Sequence, residues 1–195
     1  MNSTVNTIAN RLSLRPPQRE SLEILARLCD IISLEKNADV ASALKAVQAE
    51  YASVTDFERD FPSLCFALAT GVGKTRLMGA FIAYLFKAEG IKHFFVLAPN
   101  LTIYNKLIAD FTPNTPKYVF QGISEFAIEP PEIITGDNYE SGRGVCGGLF
   151  DANVHVNIFN ISKINSEVRG GSTPRIKRLA EYIGQSYFEY LSGLD

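Results

Sequence analysis

One stretch constrains everything around it: Leu68-Ala69-Thr70-Gly71-Val72-Gly73-Lys74-Thr75. An apolar segment, Ser63-Leu64-Cys65-Phe66-Ala67, runs into it, and a helix-like run from Arg76 to Ala88 leaves it. A strand, a glycine turn, Lys-Thr and then a helix is the arrangement that cradles a nucleoside triphosphate. The turn aims backbone N–H groups at the phosphates, and the helix N-terminus adds partial positive charge. Glycines let the main chain approach closely and adopt angles that a side chain forbids. Thr70, Gly71, Val72, Gly73, Lys74, Thr75 and Arg76 are therefore the candidate cradle, with Lys74 reaching the β- and γ-phosphates and the Thr75 hydroxyl holding Mg²⁺. The full pattern asks for glycine where Leu68 stands, so only its G-x-G-K-T half is present. The plain alternative is a turn joining a buried strand to a helix; the flanking strand and helix argue for the phosphate-binding reading.

Composition narrows the partners. The chain has 195 residues, 46% hydrophobic and 21% charged, which suits a packed globular core of ordinary domain size. Net charge is −2 and the sequence pI is about 5.8, so any nucleic-acid contact has to be local rather than driven by an overall basic field. Cys29, Cys65 and Cys146 form no C-x-x-C pair and no Cys/His cluster. Neither disulfides nor structural zinc are expected, and a reducing cytoplasm is the expected location. His93 and His155 fall in strand-like segments and read as structural. No apolar run approaches the ~20 residues that span a bilayer, so no membrane partner is expected.

Along the chain, residues 1–13 read as a polar lead-in. Pro17 suits a first helical turn, and Leu22, Leu25, Leu28 and Ile32 follow at helical spacing, so a helix is expected over about 17–34. A second covers 37–51, capped by Asn37 or Asp39. Beyond the phosphate loop and its helix, 93–98 is continuously apolar, as in a strand of a parallel sheet covered on both faces. A short helix is expected over 101–111, strands over 117–120, 132–135 and 154–161, a glycine-rich loop over 136–148, and a last helix over 175–191. Strands alternating with helices imply a three-layer α/β fold with a mostly parallel sheet. The expected division is a helical lead-in over 1–62 and a phosphate-loop domain over 63–195.

Four segments then line up in order: Leu14-Arg15-Pro16-Pro17-Gln18; Ala69 to Thr75; Val96-Leu97-Ala98-Pro99-Asn100-Leu101; and Ile158-Phe159-Asn160-Ile161-Ser162-Lys163. The series resembles the first RecA-like domain of superfamily-two DEAD/DEAH-type helicases, most closely the restriction (Res) subunit of type III restriction enzymes. In that family the missing first glycine is normal. The resemblance implies that Gln18 reads the adenine edge, because an amide offers a donor beside an acceptor; a solvent-facing glutamine at a helix start is the plain alternative. It implies that Asn100 and Thr102 contact a nucleic-acid backbone, against a simple cap by Asn100, and that Ser162 and Lys163 do likewise, against a surface lysine. Thr135-Gly136 matches a further family motif only weakly. ATP and Mg²⁺ are the implied cofactors. Nucleic acid, double-stranded DNA in particular, and a modification (methyltransferase) subunit are the implied partners.

The family's Asp-Glu-x-His motif, whose acidic residues order Mg²⁺ and activate water, is absent from the 195 residues. The chain is therefore expected to be an incomplete first RecA-like domain that binds nucleotide without hydrolysing it. Two other readings stand beside this one. A small-molecule kinase calls for the first glycine and a basic lid. A non-catalytic interaction module leaves Lys74 and Thr75 without a purpose.

Overall fold

The computed structural model describes residues 2–35, 37–139, 154–161, 179–180 and 185–194. It divides into two compact units, Met1–Glu89 and Gly90–Asp195. The phosphate loop and its helix thus belong with the N-terminal helices, whereas the sequence reading placed the division after residue 62.

The N-terminal unit is built on four helices. α1 (Ser3–Arg11) replaces the expected polar lead-in. Its polar composition hides Val5, Ile8, Ala9 and Leu12, which share one helical face and are all buried. The Asn2 side chain caps it by accepting the Thr4 and Val5 N–H groups at 3.0 and 3.2 Å. α2 (Pro16–Ile31) and α3 (Val40–Glu50) fall close to their expected spans, with Asp39 capping α3. α4 (Lys74–Glu89) leaves the phosphate loop and packs against both α1 and α2.

The segment ahead of the loop departs from expectation. Residues 62–69 are assigned to no strand, and among the described residues no ladder bonds hold them. A strand is defined by its partner, and none lies alongside within this unit. One face is nevertheless used: Leu64 and Phe66 pack on a core of Leu28, Ile32, Ala43, Val47 and Phe57, while Cys65 and Ala67 are exposed. The Phe66 ring meets Phe81 of α4 edge-on at 4.9 Å.

The C-terminal unit is organised by a sheet of β1 (His93–Ala98), β2 (Glu132–Thr135) and β3 (His155–Asn160), in the order β1-β3-β2 with both pairings parallel. β3 lies in the middle and is buried at all six positions, as a strand covered on both faces must be. α5 (Leu101–Phe111) packs on β1 and β3, and α7 (Tyr187–Gly193) brings Tyr187, Tyr190 and Leu191 onto Ile134, Tyr139 and Phe159. Helices on a parallel sheet confirm the α/β class.

Two further expectations fail. Residues 117–120 form turns, closed by Tyr118 N–H to Thr115 O at 3.1 Å and Gln121 N–H to Tyr118 O at 3.3 Å. Phe120 is instead spent on an aromatic cluster with Phe111 and Phe126 beside α6 (Ser124–Ile128). The last helix begins only at Tyr187, after a short antiparallel pair, β4 (Leu179–Ala180) with β5 (Gln185–Ser186). Ser186 and Glu189 form a reciprocal capping box that fixes this start. The 136–148 loop is described only as far as Tyr139.

Candidate nucleotide and nucleic-acid sites

In the N-terminal unit the phosphate loop turns through Gly71 at φ +81° and Gly73 at φ +93°, conformations that L side chains rarely adopt. α4 starts directly at Lys74, so Lys74, Thr75 and Arg76 occupy its first turn, which holds no acidic side chain. Sixteen residues of helix stand behind that terminus, giving the loop the partial positive charge of aligned peptide dipoles. A β-carbon added at Gly71 would meet nothing within 4 Å. The loop is therefore open on that side, and Lys74 is exposed.

Gln18 is drawn into this structure from 55 residues away. It is 2% exposed, deep for a polar side chain near a helix start. Its amide nitrogen donates to Gly73 O at 2.8 Å, and its amide oxygen accepts the Arg15 N–H at 2.8 Å. The sequence reading thus joined the right two segments, but their physical link is the loop main chain. Arg15, which sequence reasoning passed over, donates from Nη1 to Gly71 O at 3.2 Å. Its place three residues before Gln18, at the start of α2, was the available signal. Arg76 turns to the α1–α2 junction and donates to Leu12 O at 3.1 Å. A cleft of about 220 Å³, lined by Ser13, Arg15, Gln18, Val72, Gly73 and Arg76, opens beside these contacts.

In the C-terminal unit, Asn100 and Thr102 sit just past the carboxyl end of β1, where ligands of parallel α/β sheets bind. Asn100 caps α5, its Oδ1 accepting the Ile103 N–H at 2.9 Å. That bond uses the oxygen and not the amide NH₂. Thr102 is exposed on the first turn. The turn after β2 lies beside them, because the buried Tyr104 hydroxyl accepts the Gly136 N–H at 3.2 Å. Ser162 and Lys163 lie outside the described residues.

A glycine turn opening a helix, and a parallel sheet covered by helices, are features of the phosphate-loop α/β class. The chain belongs to the family of type III restriction enzyme res subunits, whose family model matches residues 11–191. No curated protein and no solved structure matches it. Membership brings an ATP-dependent, helicase-type activity and an association with nucleic acid as class properties. Among the described residues no helix is long and apolar enough to cross a membrane.

Proposed function

We propose that this chain is the ATP-binding part of a nucleic-acid-dependent ATPase, a helicase or translocase acting as the restriction subunit of a type III-like restriction–modification system. The observation that supports it best is the Gly71–Thr75 turn at the head of α4, tied through Gln18 to the Leu-Arg-x-x-Gln stretch. The donors suit a triphosphate. The Lys74 ammonium would meet the β- and γ-phosphates, main-chain N–H groups would line the rest, and the Thr75 hydroxyl would hold Mg²⁺. Bound Mg²⁺ neutralises phosphate charge. Gln18 keeps one amide hydrogen and one oxygen lone pair beyond its two bonds, the pair that an adenine edge requires. No Asp-Glu-x-His occurs in the 195 residues, so the chain positions nucleotide but has no group of that motif to activate water.

Isothermal titration of the 195-residue chain is expected to show ATP binding with Mg²⁺, a loss of about 100-fold in Lys74→Ala for the missing charge-assisted phosphate contact, and no measurable ATP turnover. Turnover that disappears in Lys74→Ala would sink the binding-only reading. GTP binding equal to ATP binding, unchanged by Gln18→Ala, would remove the adenine contact.

Asn100, Thr102, Ser162 and Lys163 are the proposed backbone contacts, double-stranded DNA the substrate and a methyltransferase subunit the partner. Asn100→Asp separates capping from phosphate contact. Aspartate caps as well as asparagine, but it replaces an N–H donor with negative charge. DNA affinity should fall about tenfold, ~1.4 kcal/mol, with the unfolding midpoint unchanged. Wild-type DNA affinity in the variant would leave Asn100 as a cap alone.

A further inference from the structure

The direction of each loop N–H is set from behind. A peptide unit is planar and trans, so its carbonyl and the N–H of the following residue point in opposite directions. Gly73 O is held by Gln18, which aims the Lys74 N–H away from α2. Gly71 O is held by Arg15, which aims the Val72 N–H away from the Arg15 guanidinium.

The arm that does this is fixed at its root. The Arg15 N–H donates to Gln18 Oε1 at 2.8 Å, and its carbonyl accepts the Gln18 and Arg19 N–H groups at 2.9 and 3.0 Å. Pro16 and Pro17 follow and restrict the backbone further. Of the two arginines lining the 220 Å³ cleft, Arg76 reaches back to Leu12 and Arg15 reaches the loop.

We propose that Arg15 is a positioning residue of the phosphate loop: by holding the Gly71 carbonyl it aims the Val72 N–H at a bound phosphate. The proposal rests on the nucleotide-binding reading above, and a ligand without a base separates the two. Inorganic tripolyphosphate tests the loop alone, whereas ATP adds the adenosine.

Arg15→Ala should weaken tripolyphosphate and ATP by the same factor, about fivefold for one lost hydrogen bond from a charged donor. Arg15→Lys keeps the charge but not the planar fork, and should recover less than half of that loss. In amide NMR spectra, the shift of the Val72 resonance on adding tripolyphosphate should shrink in Arg15→Ala while that of Lys74 persists, a pattern that general destabilisation would not produce. Unchanged tripolyphosphate affinity in Arg15→Ala overturns the proposal and leaves nucleotide binding intact, as does full recovery by Arg15→Lys, which would make the effect one of charge. A wild-type chain that binds neither ligand overturns the nucleotide reading itself, and this proposal with it.

Discussion

Gly73→Ala is expected to abolish nucleotide binding and to destabilise the N-terminal unit by about 2–4 kcal/mol. Two costs combine. The backbone at φ +93° is a conformation that an L side chain adopts only under strain. The added methyl carbon would also stand 2.7 Å from Gln18 Nε2, closer than real contacts allow. Gln18 is too buried to swing away cheaply, and moving it breaks its bond to Gly73 O and unsettles the start of α2. Gly71→Ala is the control. Its φ of +81° carries a similar strain, but nothing lies within 4 Å of the new carbon, so its cost should stop at ~1–2 kcal/mol. For a unit of this size the larger penalty corresponds to a fall of roughly 10 °C or more in the unfolding midpoint. Equal midpoints for the two variants would show that the Gln18 contact does not carry the difference.

How far the sequence reaches is clearest at this loop. Glycines, Lys74 and Thr75 announce a turn and a helix start because their chemistry is local, and α4 indeed begins at Lys74. The continuous apolar run at 93–98 likewise marks β1 over its observed span, but Phe95 and Leu97 are exposed, and the cover on both faces expected there belongs to β3, which fills most of the strand expected over 154–161. What lay beyond reach is relational. The segment before the loop looks like a strand from its composition, but strandedness belongs to a pair. Tyr118-Val119-Phe120 has strand-forming residues, yet tertiary demand for an aromatic anchor between Phe111 and Phe126 overrides that weak preference. α1 escapes notice for the converse reason: four apolar residues among polar ones make a face, but hardly change the composition.

The site shows the same limit. Sequence order paired Gln18 with the loop through an adenine contact. The structure pairs them through Gly73 O, which accepts from the Gln18 amide nitrogen, while the Gln18 amide oxygen accepts the Arg15 N–H and closes the first turn of α2. A side chain with two donors and two acceptor positions can serve both ends, and spacing alone does not say which partner comes first. Arg15 stands in the same Leu-Arg-x-x-Gln stretch, but the stretch does not say what its side chain meets; the bond to the Gly71 carbonyl does.

In the C-terminal unit the largest loss is expected at Phe159. Its ring is fully buried on the middle strand, stacked on Phe95 at 5.4 Å and flanked by Tyr139 at 5.6 Å and Tyr187 at 6.3 Å. Phe159→Ala should cost ~3–5 kcal/mol, since it removes apolar burial and leaves a cavity that a strand bonded on both sides is poorly able to close. Phe95→Ala removes the same stacked pair from the other side. Phe95 is 42% exposed, so its truncation opens no enclosed void and should cost about 1 kcal/mol, in the range of the ring–ring term. The comparison therefore separates stacking from burial. Denaturant titration followed by tyrosine near-ultraviolet circular dichroism reads both variants, because Tyr139 and Tyr187 report on this cluster. Equal losses at the two positions would mean that ring contact, and not exclusion from water, holds α7 on the sheet. A larger loss at Phe159 would place the stability of this unit in the strand whose carboxyl end leads to Ser162 and Lys163.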